Sequence, residues 1–281
     1  MKRKSYFSTT KKHDWYIHIF LILVSAFQIF PLIALLLNSL RTDANIKIKP
    51  VNIPEHITFE NYKSVWVKGE YATAYLNSIL IGFCSVLIVL FLGGMAAYAL
   101  AKLNVPFRNF FLGYFTLGMS IPGFMYISPN YATFTKLGII DTQLSMIIIY
   151  SCIFMCFNLL MIRTYFIGIP KELEEAGRID GCNEISVVWH ITFPLARPIL
   201  TTVALLVFVN CWNEFLWANT FLNRDEVRTV STRFYKFVAQ YTVDLASIYT
   251  AGVIAILPIV ILYLCLQKKF IEGMTAGGVK G

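Results

Sequence analysis

Six long runs of apolar residues divide this chain. They fall at about 15–38, 76–101, 109–129, 142–166, 198–222 and 247–268. Each is near the ~20 residues that an α-helix needs to cross a hydrocarbon layer. Polar and charged residues collect between the runs, and no run alternates with the period of two that marks a half-buried strand. The pattern predicts an all-α integral membrane bundle of six transmembrane helices. The third run is interrupted by Pro122 and Pro129, and the fourth contains Asn158 and ends near Arg163. Proline is tolerated in a span where neighbouring helices satisfy the freed carbonyls.

Composition agrees with this pattern. Of the 281 residues, 57% are hydrophobic and only 14% are charged, and the mean hydropathy is +0.63. A soluble domain carries about 25% charged residues. The formal net charge is +8, but the cations sit between apolar runs and form no dense patch with interleaved aromatics. That favours a topological role over nucleic-acid binding. Lys2, Arg3, Lys4, Lys11 and Lys12 precede the first run. That run is long for a signal-peptide core and no A-x-A site follows it, so it reads as an uncleaved span. Lys and Arg are in modest excess on the side that holds the N-terminus, which places both termini in the cytoplasm. The expected layout is a cytoplasmic tail at 1–14, a transmembrane domain at 15–270 and a cytoplasmic tail at 271–281.

Candidate chemistry is sparse. His13, His18, His56 and His190 are scattered, and neither G-x-S-x-G nor H-E-x-x-H occurs. The six cysteines include Cys152 and Cys156 on one helix face, without a matching metal pair, and they read as packing residues. The nearest approach to a P-loop runs from Gly273 to Gly278, but Val279 stands where lysine is required. The chain is therefore expected to be no enzyme, with no cofactor of its own. Asn210, Asn213 and Trp217 fall at i, i+3 and i+7 of the fifth run, so they share one face and are candidates for a solute path. Interhelical hydrogen bonding recruits the same residue types. Glu214, beside them, is a candidate partner for an arginine or for backbone.

The informative connector lies between the fourth and fifth runs, at 169–194. Pro170 suits a helix start, and Glu172, Glu174 and Glu175 lie near that start, where the macrodipole favours acid. Gly181 suits a helix stop, Asn183 suits an N-cap, and Pro194 ends a second short helix. Leu173, Ala176 and Gly177 would offer a small apolar face, and Lys171, Glu175 and Arg178 a polar one. Local physics alone leaves two readings open: a docking element, or a surface hairpin with structural duties.

This connector resembles the EAA loop of ABC importer permeases. Glu175-Ala176-Gly177 is followed after three residues by Gly181, and after nine more by Ile191-Thr192-Phe193-Pro194. Gly177 replaces the second alanine of the pattern, and Phe193 replaces leucine. Further stretches are similar to the sugar-uptake branch, and to the six-span maltose-type permease subunit in particular. They are Leu76-Asn77-Ser78, the stretch from Ala96 to Lys102, Trp212-Asn213-Glu214-Phe215-Leu216-Trp217, and the tail from Gly273 to Gly281.

The resemblance implies a permease half of an ATP-driven importer in the plasma membrane. Its expected partners are a second permease (as a heterodimer), two ATPase subunits that bind ATP and Mg, an extracytoplasmic sugar-binding protein, the sugar itself and membrane lipid. It implies that Glu172, Glu175, Ala176, Gly177, Arg178, Asp180 and Gly181 couple to an ATPase, with Glu175 as the charged anchor. It also implies that the tail around Thr275, Gly277 and Gly278 contacts the ATPases. A permease for peptides or glycerol phosphodiesters is the alternative within the family. A secondary transporter is a further one, which would need an inverted repeat and a buried ion site.

Overall fold

A computed structural model describes residues 15–50, 52–241 and 243–278. The expected tail at 1–14 and the last three residues lie outside the described residues. The chain runs α1 Trp15–Ser39, α2 Asp43–Ile48, α3 Glu60–Lys68, α4 Tyr71–Ile88, a π-helical turn Val89–Gly93, and α5 Gly94–Lys102. It continues through α6 Arg108–Ser120, α7 Ile127–Lys136, α8 Gln143–Ile167, α9 Lys171–Ile179 and α10 Glu184–Val187. A second π-helical turn, Val188–Thr192, leads to α11 Phe193–Leu195, α12 Arg197–Asn213, α13 Leu216–Phe221, α14 Val230–Gln240 and α15 Leu245–Gly278. No strand occurs among the described residues.

Among the described residues four helices are long and apolar enough to cross a membrane: Trp15–Ser39, Tyr71–Lys102, Gln143–Ile167 and Leu245–Gln267. The number rises to six if each of two sharply bent pairs counts as one span. The interruption expected at Pro122 in the third run, 109–129, is a sharp break. The helix stops at Ser120 and resumes past Pro122, with a bend of 91°. Pro122 lacks an N–H and holds Ile121 extended (φ −83°, ψ 123°). The fifth segment, expected at about 198–222, ends its first helix at Asn213, where Glu214 is extended (ψ 129°). The last helix runs past 268 to Gly278, so Thr275, Gly277 and Gly278 lie on its final turns. The side chains there are outside the described residues.

The chain divides into two compact units, residues 1–68 with 237–254, and residues 69–236 with 255–281. In the first unit α1 is apolar yet exposed along almost its whole length, with only Asn38 and Ser39 buried. An apolar helix surface of that extent is stable only in hydrocarbon. Its polar end is fixed to its own unit: Asn61 Nδ2 donates to the Ser39 and Arg41 carbonyls at 3.0 and 2.9 Å. Thr250 Oγ1 donates to the Ser39 carbonyl at 3.1 Å.

The second unit is built on α4, α5, α8 and α12. Its core includes Ile81, Val89, Tyr98, Met146, Tyr150, Ile162, Phe166, Val203 and Phe221. Gly94 admits the Phe193 ring, which a Cβ there would meet at 3.0 Å. Phe193 in turn stacks on Phe166 at 6.1 Å. The two π-helical turns meet through Phe91 and Trp189, whose rings stack 6.1 Å apart. Phe91 and Trp189 thus tie the second apolar segment to the connector that follows the fourth.

Candidate functional site

The connector forms two helical rods joined by a tight turn. Pro170 is the N-cap of α9, one residue ahead of the expected first helical position, and Glu172 and Glu174 lie in the first turn. The stop is a Schellman arrangement: Cys182 N–H donates to the Gly177 carbonyl at 2.9 Å and Gly181 N–H to the Arg178 carbonyl at 3.1 Å. It requires φ of +90° at Gly181, a conformation that glycine adopts without a Cβ penalty. Asn183 then caps α10, its Oδ1 accepting from Ser186 N–H at 2.8 Å. The second rod ends at Ala196, two residues past Pro194, and meets α12 at 80°.

What holds α9 in place is a carboxylate counted in the sequence only as one of three helix-start acids. Glu174 is 2% exposed. Its Oε1 lies 3.2 Å from Lys102 Nζ, and both side chains are 3% exposed. Lys102 also donates to the Ile169 carbonyl at 2.6 Å, and Arg178 approaches Glu174 Oε2 at 3.8 Å. Arg178 forms a bidentate pair with Glu184, at 2.7 and 3.1 Å. That pairing is the main cause that raises the Arg178 pKa above its already high ordinary value. Tyr98 OH also donates to Glu184 Oε2 at 3.2 Å. Burying an ion pair is costly unless its hydrogen-bonding capacity is met, and here the surrounding groups meet it.

Gly177 is buried against the second rod, and a Cβ at this position would overlap Ile191 Cδ1. The expected division of faces is therefore corrected. Gly177 belongs to the inner, packed face, while Leu173 and Ala176 are exposed. Arg178 points to Glu184 and Glu174 rather than standing free. Glu172, Glu175 and Asp180 are exposed and form no ion pair among the described residues. Together with Leu173, Ala176, Ile179 (85% exposed) and Ile185 they make a mixed acidic and apolar outer rim. Such a rim can pair with cations and bury methyl groups on a partner without disturbing the internal network. Glu174 ties α9 to α5 within the chain, and Glu175, which the resemblance makes the anchor toward an ATPase, faces outward.

At the other end of the second unit, polar residues organise the loop that leaves the fifth segment. Asn77 Nδ2 donates to the Glu226 and Arg228 carbonyls at 2.8 and 3.0 Å. Ser78 Oγ accepts from Val230 N–H at 2.9 Å. The Asn77-Ser78 pair that opens the second segment is thus a clamp on that loop. Asp141, with φ of +61°, accepts from Asn223 N–H at 2.7 Å and from the Arg224 guanidinium at 2.9 Å.

The expected common face of Asn210, Asn213 and Trp217 is corrected. The helix ends at Asn213, so periodicity does not carry through to Trp217. Trp217 is buried beside Phe221, at 5.5 Å, and Tyr126, at 6.4 Å. Asn210 and Asn213 remain exposed on the last turn of α12. Glu214 accepts from the Trp217 and Ala218 amides at 2.9 and 3.1 Å and from Tyr150 OH at 2.7 Å. From one residue ahead of the N-cap Phe215, its carboxylate takes up free amides in the first turn of α13, which is the backbone partnership expected of it.

In the second unit, apolar helices carry a helical hairpin bracketed to the end of α5. Among the described residues no group of three His, Cys, Asp or Glu could hold a metal ion. The apolar helices are those of a multi-pass membrane protein. The chain matches the family described as binding-protein-dependent transport system inner membrane component over residues 89–275, and it belongs to that family.

The chain is similar to several curated proteins over most of its length. It is 31% identical over 285 residues to the arabinooligosaccharides transport system permease protein AraQ of Halalkalibacterium halodurans, covering 100% of each chain. It is 30% identical over 261 residues to the melibiose/raffinose/stachyose import permease protein MelC of Bacillus subtilis, covering 92% of this chain and 94% of that one. Among solved structures, it resembles a chain of a bacterial ABC transporter involved in the import of the acidic polysaccharide alginate. The TM-score is 0.81 at 25% identity, covering 93% of this chain and 99% of that one.

Proposed function

We propose that this chain is one permease half of an ATP-driven importer of a sugar or oligosaccharide in the plasma membrane, with both termini in the cytoplasm. A second, different permease completes the pathway. Two ATPase subunits bind ATP and Mg and hydrolyse it, and an extracytoplasmic binding protein delivers the solute. The observation that carries this reading is the construction of α9. Its inner face is locked to the second apolar segment by Lys102 and Glu174. Its outer rim of Glu172, Leu173, Glu175, Ala176, Ile179 and Asp180 is free of internal duties. A helix bound on one face and open on the other can receive a push from an ATPase and pass it into the bundle as a rigid body, because packed elements are not continuously deformable.

Gly181 supports the same role by ending α9 abruptly, so that the rim is presented on a short, stiff lever. The final turns of α15, with Thr275, Gly277 and Gly278, provide a second contact for the ATPases. The sugar class follows the named substrates of AraQ and MelC. In the pathway itself Asn210 and Asn213 are the polar side chains we assign to passing hydroxyl groups, since amides both donate and accept.

The test is uptake by proteoliposomes that contain this permease, its partner permease and the ATPases, with binding protein and labelled oligosaccharide outside. The reading expects accumulation that requires both internal ATP and binding protein. Accumulation driven by an ion gradient without ATP would overturn it in favour of secondary transport.

A further inference from the structure

Two arginines at the α9 end of the bundle stand outside the network that holds α9. Arg108, the first residue of α6, donates from Nη2 to the Leu103 carbonyl. Arg163, near the end of α8, donates from Nε to the Leu100 carbonyl at 3.2 Å. Both carbonyls belong to the end of α5, so the two guanidinium groups converge there, within electrostatic reach of one another. Both side chains are half-buried.

Neither arginine forms an ion pair among the described residues. The carboxylates at this end that do form ion pairs, Glu174 and Glu184, are engaged by Lys102 and Arg178. A helix C-terminus carries the equivalent of about half a negative charge. It cannot balance two full positive charges, and two like charges brought together in a partly desolvated place are unfavourable without a counter-ion. Each guanidinium has five N–H donors in a planar fork suited to phosphate oxygens. One donor of each is occupied by a carbonyl, and the rest have no partner among the described residues.

The surroundings indicate which anion. Phe107, Phe110 and Tyr114, near Arg108 in the sequence at the start of α6, are exposed, Phe107 to 82%. Exposed aromatic rings and guanidinium groups at the same end of spanning helices suit the headgroup region of a bilayer, where the rings meet acyl chains and the cations meet phosphate. We propose that Arg108 and Arg163 together bind the phosphate of an anionic phospholipid headgroup. This rests on the chain being a multi-span membrane protein and not on which solute it carries. A headgroup here would brace the end of α5, from which Lys102 reaches Glu174 of α9.

The experiment follows thermal unfolding of the purified complex in detergent, with dioleoylphosphatidylglycerol, dioleoylphosphatidylcholine or millimolar inorganic phosphate added. The expected result is a rise in the unfolding midpoint with phosphatidylglycerol that neither phosphatidylcholine nor inorganic phosphate matches. Arg108→Gln/Arg163→Gln loses the rise, whereas Arg197→Gln, which removes an exposed charge at the start of α12, keeps it. If the double variant does not fold, Arg108→Gln alone is read, and it loses at least half of the rise. An equal rise with inorganic phosphate assigns the site to a soluble anion and overturns the proposal. An undiminished rise in the Arg108 and Arg163 variants, or an equal loss in Arg197→Gln, overturns it in favour of diffuse attraction. The assay reads lipid binding without transport, so its failure is distinct from failure of the importer reading.

Discussion

Lys102 Nζ and Glu174 Oε1 lie 3.2 Å apart with both side chains 3% exposed, joining the end of α5 to the inner face of α9. Removing one partner of such a buried pair leaves an uncompensated charge and costs about 3–5 kcal/mol, whereas replacing both with apolar groups is often neutral. Lys102→Met alone should therefore lower the unfolding midpoint strongly, and Lys102→Met/Glu174→Leu should recover most of the loss. The check is temperature-dependent size-exclusion chromatography of the three proteins. A double variant as unstable as the single one would show that the surrounding hydrogen bonds, and not the pairing, dominate.

Gly177 packs where a Cβ would overlap the terminal methyl of Ile191. That atom is the flexible end of a side chain, and the next nearest contacts are 3.7 and 4.0 Å away. Gly177→Ala should thus cost little, since Ile191 can turn aside and alanine favours the helix by about 1 kcal/mol over glycine. Gly177→Val should force the two rods apart and cost about 1–3 kcal/mol. Unfolding midpoints of the two variants distinguish these outcomes, and Ile191→Ala should partly rescue Gly177→Val.

Glu214 caps α13 through two amides and accepts from the buried Tyr150 hydroxyl. Glu214→Ala strands the Tyr150 donor and should destabilise the protein by about 1–3 kcal/mol. Tyr150→Phe removes donor and hydroxyl together and should cost less. If both variants unfold at the wild-type temperature, Glu214 is not a structural cap and a role in the solute path gains ground.

Asp141 supplies a pH dependence. Burial alone would raise its carboxyl, but hydrogen bonds from the Arg224 and Asn223 amides and from the Arg224 side chain outweigh burial and hold the pKa below its ordinary value. A folded-state pKa below the unfolded value of about 3.9 gives stability that is fully present above that value. It is lost as pH falls through the folded pKa. Wild type should therefore be more stable than Asp141→Asn at neutral pH, and the gap should close only below about pH 4. Unfolding midpoints measured from pH 7 to pH 3 test the sign. A gap that widens on acidification would contradict it.

The apolar periodicity made the helical, membrane-spanning character legible, because a run of some twenty apolar residues has few other uses. The turn at Gly181 and the cap at Asn183 were legible for the same local reason: each residue type solves one backbone problem. The breaks were harder to read. Pro122 was visible, but the 91° bend it permits depends on how the second arm packs. Glu214 is held by partners at Tyr150, Trp217 and Ala218 that no periodicity reveals, so the i+7 spacing that puts Trp217 on the face of Asn210 fails at the break. Glu174 shows the same limit most clearly. Three glutamates in four residues look alike in sequence, and only the position of Lys102, dozens of residues earlier, separates the anchor from the two that face outward.

The most direct test of α9 as the coupling lever is Glu175→Lys. The exchange reverses a charge on the exposed rim while leaving Lys102, Glu174, Arg178 and Glu184 untouched. The measurement is solute-stimulated ATP hydrolysis by the complex purified through this chain, together with its unfolding midpoint. The account predicts an unchanged midpoint for the permease and loss of the bound ATPase or of its stimulation. Full stimulation in Glu175→Lys would contradict the assignment of the outer rim as the ATPase contact.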